Sequence, residues 1–143
     1  RYFGVRCFEF MRMVGVTDAD KIKALRQRKV ELYPNYFSSV KLNEPLWSWC
    51  QMLRTTGVKV WIVSTGHRDN IDNVMRYLNL ENGIDGIICG DDVKHPKPHP
   101  DCFLKAMEIV GATTEETIIF EDSTVGIEAA RRSGATYSVI SLD

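Results

Sequence analysis

Four short apolar runs alternate with helix-periodic segments from residue 43 onward, and this alternation restricts the fold more than any other feature. The first run is Val58-Lys59-Val60-Trp61-Ile62-Val63. It is β-branched and apolar almost throughout, as a strand covered on both faces requires. Gly86-Ile87-Ile88-Cys89, Thr117-Ile118-Ile119-Phe120 and residues 136–140 follow. Between them the spacing predicts helices over 69–80, with Ile71, Val74, Met75 and Leu78 inward, over 101–110, closed by Gly111, and over 125–133, closed by Gly134. A further helix starts at Asn43-Glu44-Pro45, with Leu46, Trp49, Cys50 and Leu53 as its buried face and Gly57 beyond its end. Strand and helix in turn imply right-handed βαβ units, hence an α/β, Rossmann-like fold of three layers around a parallel sheet. Such sheets bind ligands beyond the carboxyl ends of their strands. That directs attention to Ser64-Thr65, the loop around Lys97, and Glu121-Asp122.

The first forty residues read as helical. Thr17 and Asp20 have capping-box spacing. Ile22, Leu25, Lys29 and Leu32 fall near one face, and Phe8, Met11 and Val14 suggest a shorter helix upstream. Pro34-Asn35-Tyr36 breaks the pattern. The chain has 143 residues, 44% hydrophobic and 26% charged, enough to bury one core. Lys plus Arg is 18 against 19 for Asp plus Glu, a net charge of −1. That balance exerts no pull toward nucleic acid or an anionic membrane. No apolar run approaches the ~20 residues of a spanning helix. Four scattered cysteines without a CxxC pair read as reduced thiols of a cytoplasmic protein. Trp47, Trp49 and Trp61 read as core. No oligomer interface is legible.

Glu121 and Asp122 are adjacent acids directly after a buried strand. Either they hold a hard, oxygen-ligated cation such as Mg2+, or Asp122 or Ser123 caps the next helix. Lys97 is stiffened by Pro96 and Pro98 and suits a phosphate or carboxylate, unless it is an ordinary solvated lysine. Ser64, Thr65 and Gly66 form an anion nest, a helix N-cap, or both. His95 and His99 lie in a proline loop without cysteine or acid at ligand spacing, so an ordinary loop is expected there. The chain contains no P-loop, no GxGxxG and no G-x-S-x-G elbow.

Three segments in order resemble the haloacid dehalogenase superfamily of phosphatases and phosphomutases, most closely its β-phosphoglucomutase-like branch with a helical cap. They are residues 60–65 (Val-Trp-Ile-Val-Ser-Thr), residues 90–103 (Gly-Asp-Asp-Val-Lys-His-Pro-Lys-Pro-His-Pro-Asp-Cys-Phe) and residues 118–130 (Ile-Ile-Phe-Glu-Asp-Ser-Thr-Val-Gly-Ile-Glu-Ala-Ala). The resemblance covers about residues 43–143, with 1–42 as a partial helical cap. It implies a Mg2+-dependent phosphatase of small phosphorylated metabolites such as sugar phosphates. Ser64 and Lys97 would be catalytic, Ser64, Thr65, Gly66 and Lys97 would bind phosphate, and Glu121 with Asp122 would hold Mg2+. No nucleic acid or membrane partner is implied.

One element departs from the family's pattern. The first motif, Asp-x-Asp-Gly-Thr/Val, supplies the aspartyl-phosphate nucleophile from the central strand, and it does not occur here. Asp18-Ala19-Asp20 has the spacing but continues Lys21-Ile22, and its capping reading is natural. The strands ending at Ser64 and Asp122 would then face an unpaired gap. The expectation is a piece of a longer protein, with residues 2–10 the weaker alternative filler. A sugar-phosphate mutase, a non-catalytic phosphate- or protein-binding relative, and a flavodoxin-like protein are the competing readings.

Overall fold

The apolar runs form strands, each shorter than the run that encodes it. In the computed structural model, which describes residue 5 and residues 7–141, these are β1 (Trp61–Val63), β2 (Gly86–Ile88), β3 (Ile118–Glu121) and β4 (Thr136–Val139). Pairing is parallel throughout, β1 with β2 in the register Trp61↔Gly86 and β3 with β4 in the register Ile118↔Thr136. The expected single sheet is divided, however, into two two-stranded halves. No strand among the described residues lies between β1 and β3, and none of these residues pairs with their facing edges.

The first run shortens for a local reason. Asp85 Oδ2 accepts from the Val60 amide at 2.9 Å, and the Asp85 amide donates to Val60 O at 2.7 Å. This side-chain bond replaces a ladder partner, and Val58 stays 46% exposed.

Three helices close the βαβ units: α4 (Arg68–Tyr77), α5 (Asp101–Val110) and α6 (Thr124–Ser133). Gly111 and Gly134 end α5 and α6 at φ 74° and 82°, a left-handed turn that glycine adopts without strain. The core lies between α5, α6 and the strands, built from Ile88, Cys102, Phe103, Met107, Ile119 and the small residues Ala129 and Ala130. Both alanines are fully buried, which brings α6 close against its neighbours.

The helix α3 (Glu44–Arg54) departs from expectation. None of Leu46, Trp49, Cys50 and Leu53 is buried, and Trp49 is 40% exposed. Its ring meets Phe120 of β3 edge to face at 5.7 Å, while Gln51 and Arg54 reach the turn at residues 82–85. The stripe thus meets β3 through Trp49, while the polar flank of the helix holds the turn that precedes β2. Trp61 does pack against the core; Trp47 is half-buried.

At the N-terminal end lie α1 (Cys7–Met13) and α2 (Ala19–Leu32). The Thr17–Asp20 box does not form. Asp18 caps α2 instead, its Oδ1 accepting from the Lys21 amide at 2.7 Å. Asp18-Ala19-Asp20 therefore opens a helix and is no strand-end nucleophile motif. Ile22 is the one buried residue of α2, and Leu25 is exposed. Of the proposed filler strand, Cys7–Phe10 are helical, and Tyr2, Phe3, Gly4 and Arg6 lie outside the described residues. A 3₁₀ segment, Tyr33–Ser39, ties this end to α4 through the Phe37 and Tyr77 rings, 5.1 Å apart. The four cysteines are free thiols. Among the described residues no helix is long and apolar enough to cross a membrane.

Candidate active site

Beyond the carboxyl ends of β1 and β3 opens a cavity of about 680 Å³, and Ser64, Thr65, Gly66, Lys97, Glu121 and Asp122 all line it. The sequence reading singled out these six residues, and the fold brings them together. Met11 of α1 and Lys29 of α2 face it from the N-terminal end.

At the β1 end, the Ser64 amide donates to Ile88 O at 2.9 Å and continues the ladder by one residue. Its Oγ accepts from the Gly66 amide at 3.1 Å, which leaves the hydroxyl proton to be donated elsewhere. Gly90 donates to Gly66 O at 2.9 Å, and a Cβ there would lie 2.5 Å from Thr65 O. Only glycine admits that approach. The N-cap of α4 is His67, so neither Ser64 nor Thr65 caps the helix.

Lys97 is no solvated loop lysine. It is 6% exposed, and its Nζ donates to Glu121 Oε2 at 2.6 Å and to Val63 O at 3.2 Å. The ammonium also lies 4.6 Å from the centre of the Phe103 ring. It therefore links the ends of β1 and β3 across the divide.

Glu121 is the last residue of β3. Its Oε1 accepts from Ser123 Oγ at 2.7 Å and from the Ser123 and Asp122 amides at 3.1 and 3.3 Å. Burial raises this carboxyl, but the Lys97 charge and these donors outweigh it and hold the group below its ordinary value. Asp122 behaves oppositely: burial and then the neighbouring Glu121 charge raise it. Ser123 caps α6, accepting from the Gly126 amide at 3.1 Å. Both sequence readings of this segment are thus compatible, since the cap is Ser123 and the acids remain at the cavity. Glu121, Asp122 and Ser64 bring oxygen donors to the cavity, and burial and then the Glu121 charge raise the Asp122 carboxyl. That set fits a hard divalent cation, which would offset both charges.

Gly126 packs directly on the Glu121 carboxylate, and a Cβ there would fall inside it. Gly126→Ala is expected to push Glu121 off Ser123 and Lys97. A loss of about 1–3 kcal/mol, the usual cost of overpacking, should appear in urea unfolding.

Two contact sets escaped the sequence reading. His67 Nδ1 lies 2.8 Å from both Arg26 Nη2 of α2 and Asp91 Oδ1. It accepts from arginine or donates to the aspartate according to its tautomer. Arg68 pairs with Asp92 at 2.8 Å. Partners separated by 41 and 24 residues leave no local signal. The second set corrects an expectation: His95 and His99 do have an acid in reach. Asp101 Oδ2 is 2.8 Å from His95 Nδ1, and its Oδ1 is 2.8 Å from His99 Nδ1.

A family model for haloacid dehalogenase-like hydrolases matches residues 1–140. The chain belongs to this family. Over 117 residues, 80% of the chain, it is 30% identical to a phosphorylated carbohydrates phosphatase of Thermotoga maritima, and covers 54% of that protein. It is 31% identical over 98 residues to the pyrophosphatase PpaX of Bacillus cereus, matching 68% of the chain and 45% of the relative. A crystal structure from Thermotoga maritima, assigned to a beta-phosphoglucomutase, superposes with a TM-score of 0.73 at 27% identity. That match takes in 93% of the chain and 62% of the other. The chain spans about half the length of the curated relatives it matches. The haloacid dehalogenase-like fold replaces the flavodoxin-like alternative.

Proposed function

We propose that the protein is a Mg2+-dependent phosphatase of small phosphorylated metabolites such as sugar phosphates, acting through an aspartyl-phosphate. One observation carries this reading: Lys97, Ser64 and the Glu121–Asp122 pair meet around one cavity at the ends of parallel strands. The family and the relatives' activities on phosphorylated carbohydrates and pyrophosphate support it.

Phosphoryl transfer needs positioning and charge neutralisation more than covalent chemistry from the protein. In this reading the Ser64 hydroxyl donates to a phosphoryl oxygen, and the Thr65–Gly66 turn cradles the group. Lys97 opposes the charge shared by phosphate and nucleophile. Asp122, with Glu121, would hold Mg2+, whose contribution is to neutralise and orient the phosphoryl oxygens. The nucleophile is an aspartate on a strand between β1 and β3, which the described residues do not supply. Residues 1–42 act as part of a cap, since Met11 and Lys29 face the cavity. The unpaired thiols favour a reducing, cytoplasmic compartment.

The test is phosphate release from a panel of sugar phosphates by the full-length protein and by the 143-residue chain alone. Mg2+-dependent turnover by the first, and turnover at least about 10³-fold slower by the second, is expected. Isomerised sugar phosphate without released phosphate would make the protein a mutase. Phosphate binding without turnover would make it a non-catalytic module.

A further inference from the structure

The proline loop that buries Lys97 has an outer side, and there three potential ligands converge. The turn at Pro96–His99 is closed by the His99 amide donating to Pro96 O at 2.8 Å. It reverses the chain, sending Lys97 inward and bringing the flanking imidazoles together with ring centroids 4.7 Å apart. Both Nδ1 atoms face one carboxylate, that of Asp101, the first residue of α5. The Asp101 side chain is held in place by the His95 amide, which donates to Oδ2 at 3.2 Å. All three ligand atoms lie within 4.8 Å of one another.

We propose that His95, His99 and Asp101 form a binding site for a first-row divalent transition-metal ion, with Zn2+ as the type case. The donor set decides the class. Two imidazoles with one carboxylate suit zinc, copper, nickel or iron, whereas Mg2+ takes oxygen ligands and retains water. Metal–ligand bonds of about 2.0–2.2 Å put the donors of one tetrahedral ion roughly 3.4 Å apart, so only small side-chain movements are required. To bind, each imidazole presents its Nδ1 lone pair to the ion and carries its proton on Nε2. The imidazoles are about half exposed, at 51% and 48%, and Asp101 is 28% exposed. An ion can therefore enter directly and keep solvent in its fourth position, as open three-ligand sites do. Three prolines, Pro96, Pro98 and Pro100, restrict the loop, so less entropy is lost on ordering the ligands. The bound ion would pin the Lys97 loop to the start of α5. The inference does not depend on the phosphatase reading.

The chain has three histidines, so His67 serves as the internal control. Zn2+ alone is titrated into the tag-free full-length protein, followed by calorimetry and by the imidazole 15N resonances. One equivalent should move the His95 and His99 resonances together, leave His67 in place, and bind with 1:1 stoichiometry. His99→Gln and Asp101→Asn should each weaken binding at least about tenfold, His95→Ala/His99→Ala should abolish it, and Asp122→Asn should leave it intact. A large excess of Mg2+ should not displace the ion. Undiminished affinity in the double variant, unmoved His95 and His99 resonances, or equal competition by Mg2+ overturns the assignment. None of these readouts uses turnover, so a failure here leaves the phosphatase reading standing, and the reverse.

Discussion

Lys97→Met should destabilise the protein by about 3–5 kcal/mol, the usual loss when one member of a buried ion pair is removed. The two side chains are 5% and 10% exposed and 2.6 Å apart. Without the ammonium, Glu121 retains its Ser123 donors but keeps a buried negative charge with no cation. Adding Glu121→Gln removes that charge while preserving an acceptor for Ser123. The double variant Lys97→Met/Glu121→Gln should therefore regain most of the lost stability in urea unfolding. It should not regain turnover, expected to fall by about 10²–10³-fold in both variants. The pH trend provides a second check. In the native protein the Glu121 carboxyl is lowered, so its contribution is present above its ordinary value of 4.5 and is lost as pH falls through the folded pKa. In Lys97→Met burial, the largest influence on this carboxyl, is opposed only by the Ser123 and Asp122 donors and raises it, so the destabilisation is relieved in acid and grows as pH rises. Equal losses in the single and double variants, or the same acid trend in native protein and Lys97→Met, would show that the pair is not what holds this corner together.

What the sequence revealed, and what it concealed, follows from range. Runs such as Ile118-Ile119-Phe120 and stops such as Gly111 and Gly134 act within a few residues, and their elements appear within one or two positions of expectation. The cavity residues were legible because a parallel sheet places its strand ends on one side. Competition between near-equivalent local donors was not: Asp18 caps α2 where Thr17 was expected, because either side chain can reach an amide three residues on. The exposure of Trp49 was hidden too. An apolar stripe records what a helix is built to cover, and the cover here is a sheet whose described halves do not meet. The His95–His99–Asp101 cluster shows a third limit. Its residues are near in sequence, but the chain reversal at Pro96–His99 brings them together, and no helical or strand period describes that turn.

Asp122→Asn should have effects of opposite sign with and without Mg2+. Burial and the Glu121 charge both raise the Asp122 carboxyl, so in metal-free protein the ionised group opposes folding. A raised folded pKa contributes stability at low pH that disappears as pH rises, so at neutral pH the charge is a net liability. Asparagine keeps the shape and removes the charge. Metal-free Asp122→Asn should accordingly melt higher than the native protein, by a small margin because Asp122 is partly solvated. Mg2+ reverses the ranking if it is held at Asp122. At 100 times its Kd it stabilises the native protein by about 2.7 kcal/mol, while the variant should gain far less. Turnover of the full-length variant should fall by at least about 10²-fold, because the ion can no longer be placed against the phosphoryl oxygens. The crossing of the two melting curves is the informative result. A higher melting point for Asp122→Asn without a cation separates repulsion from simple damage to the fold, which would lower it. An equal Mg2+ shift in both proteins would place the ion elsewhere, leaving Glu121 and Asp122 as a strand end and the residue before the Ser123 cap, with no part in binding it.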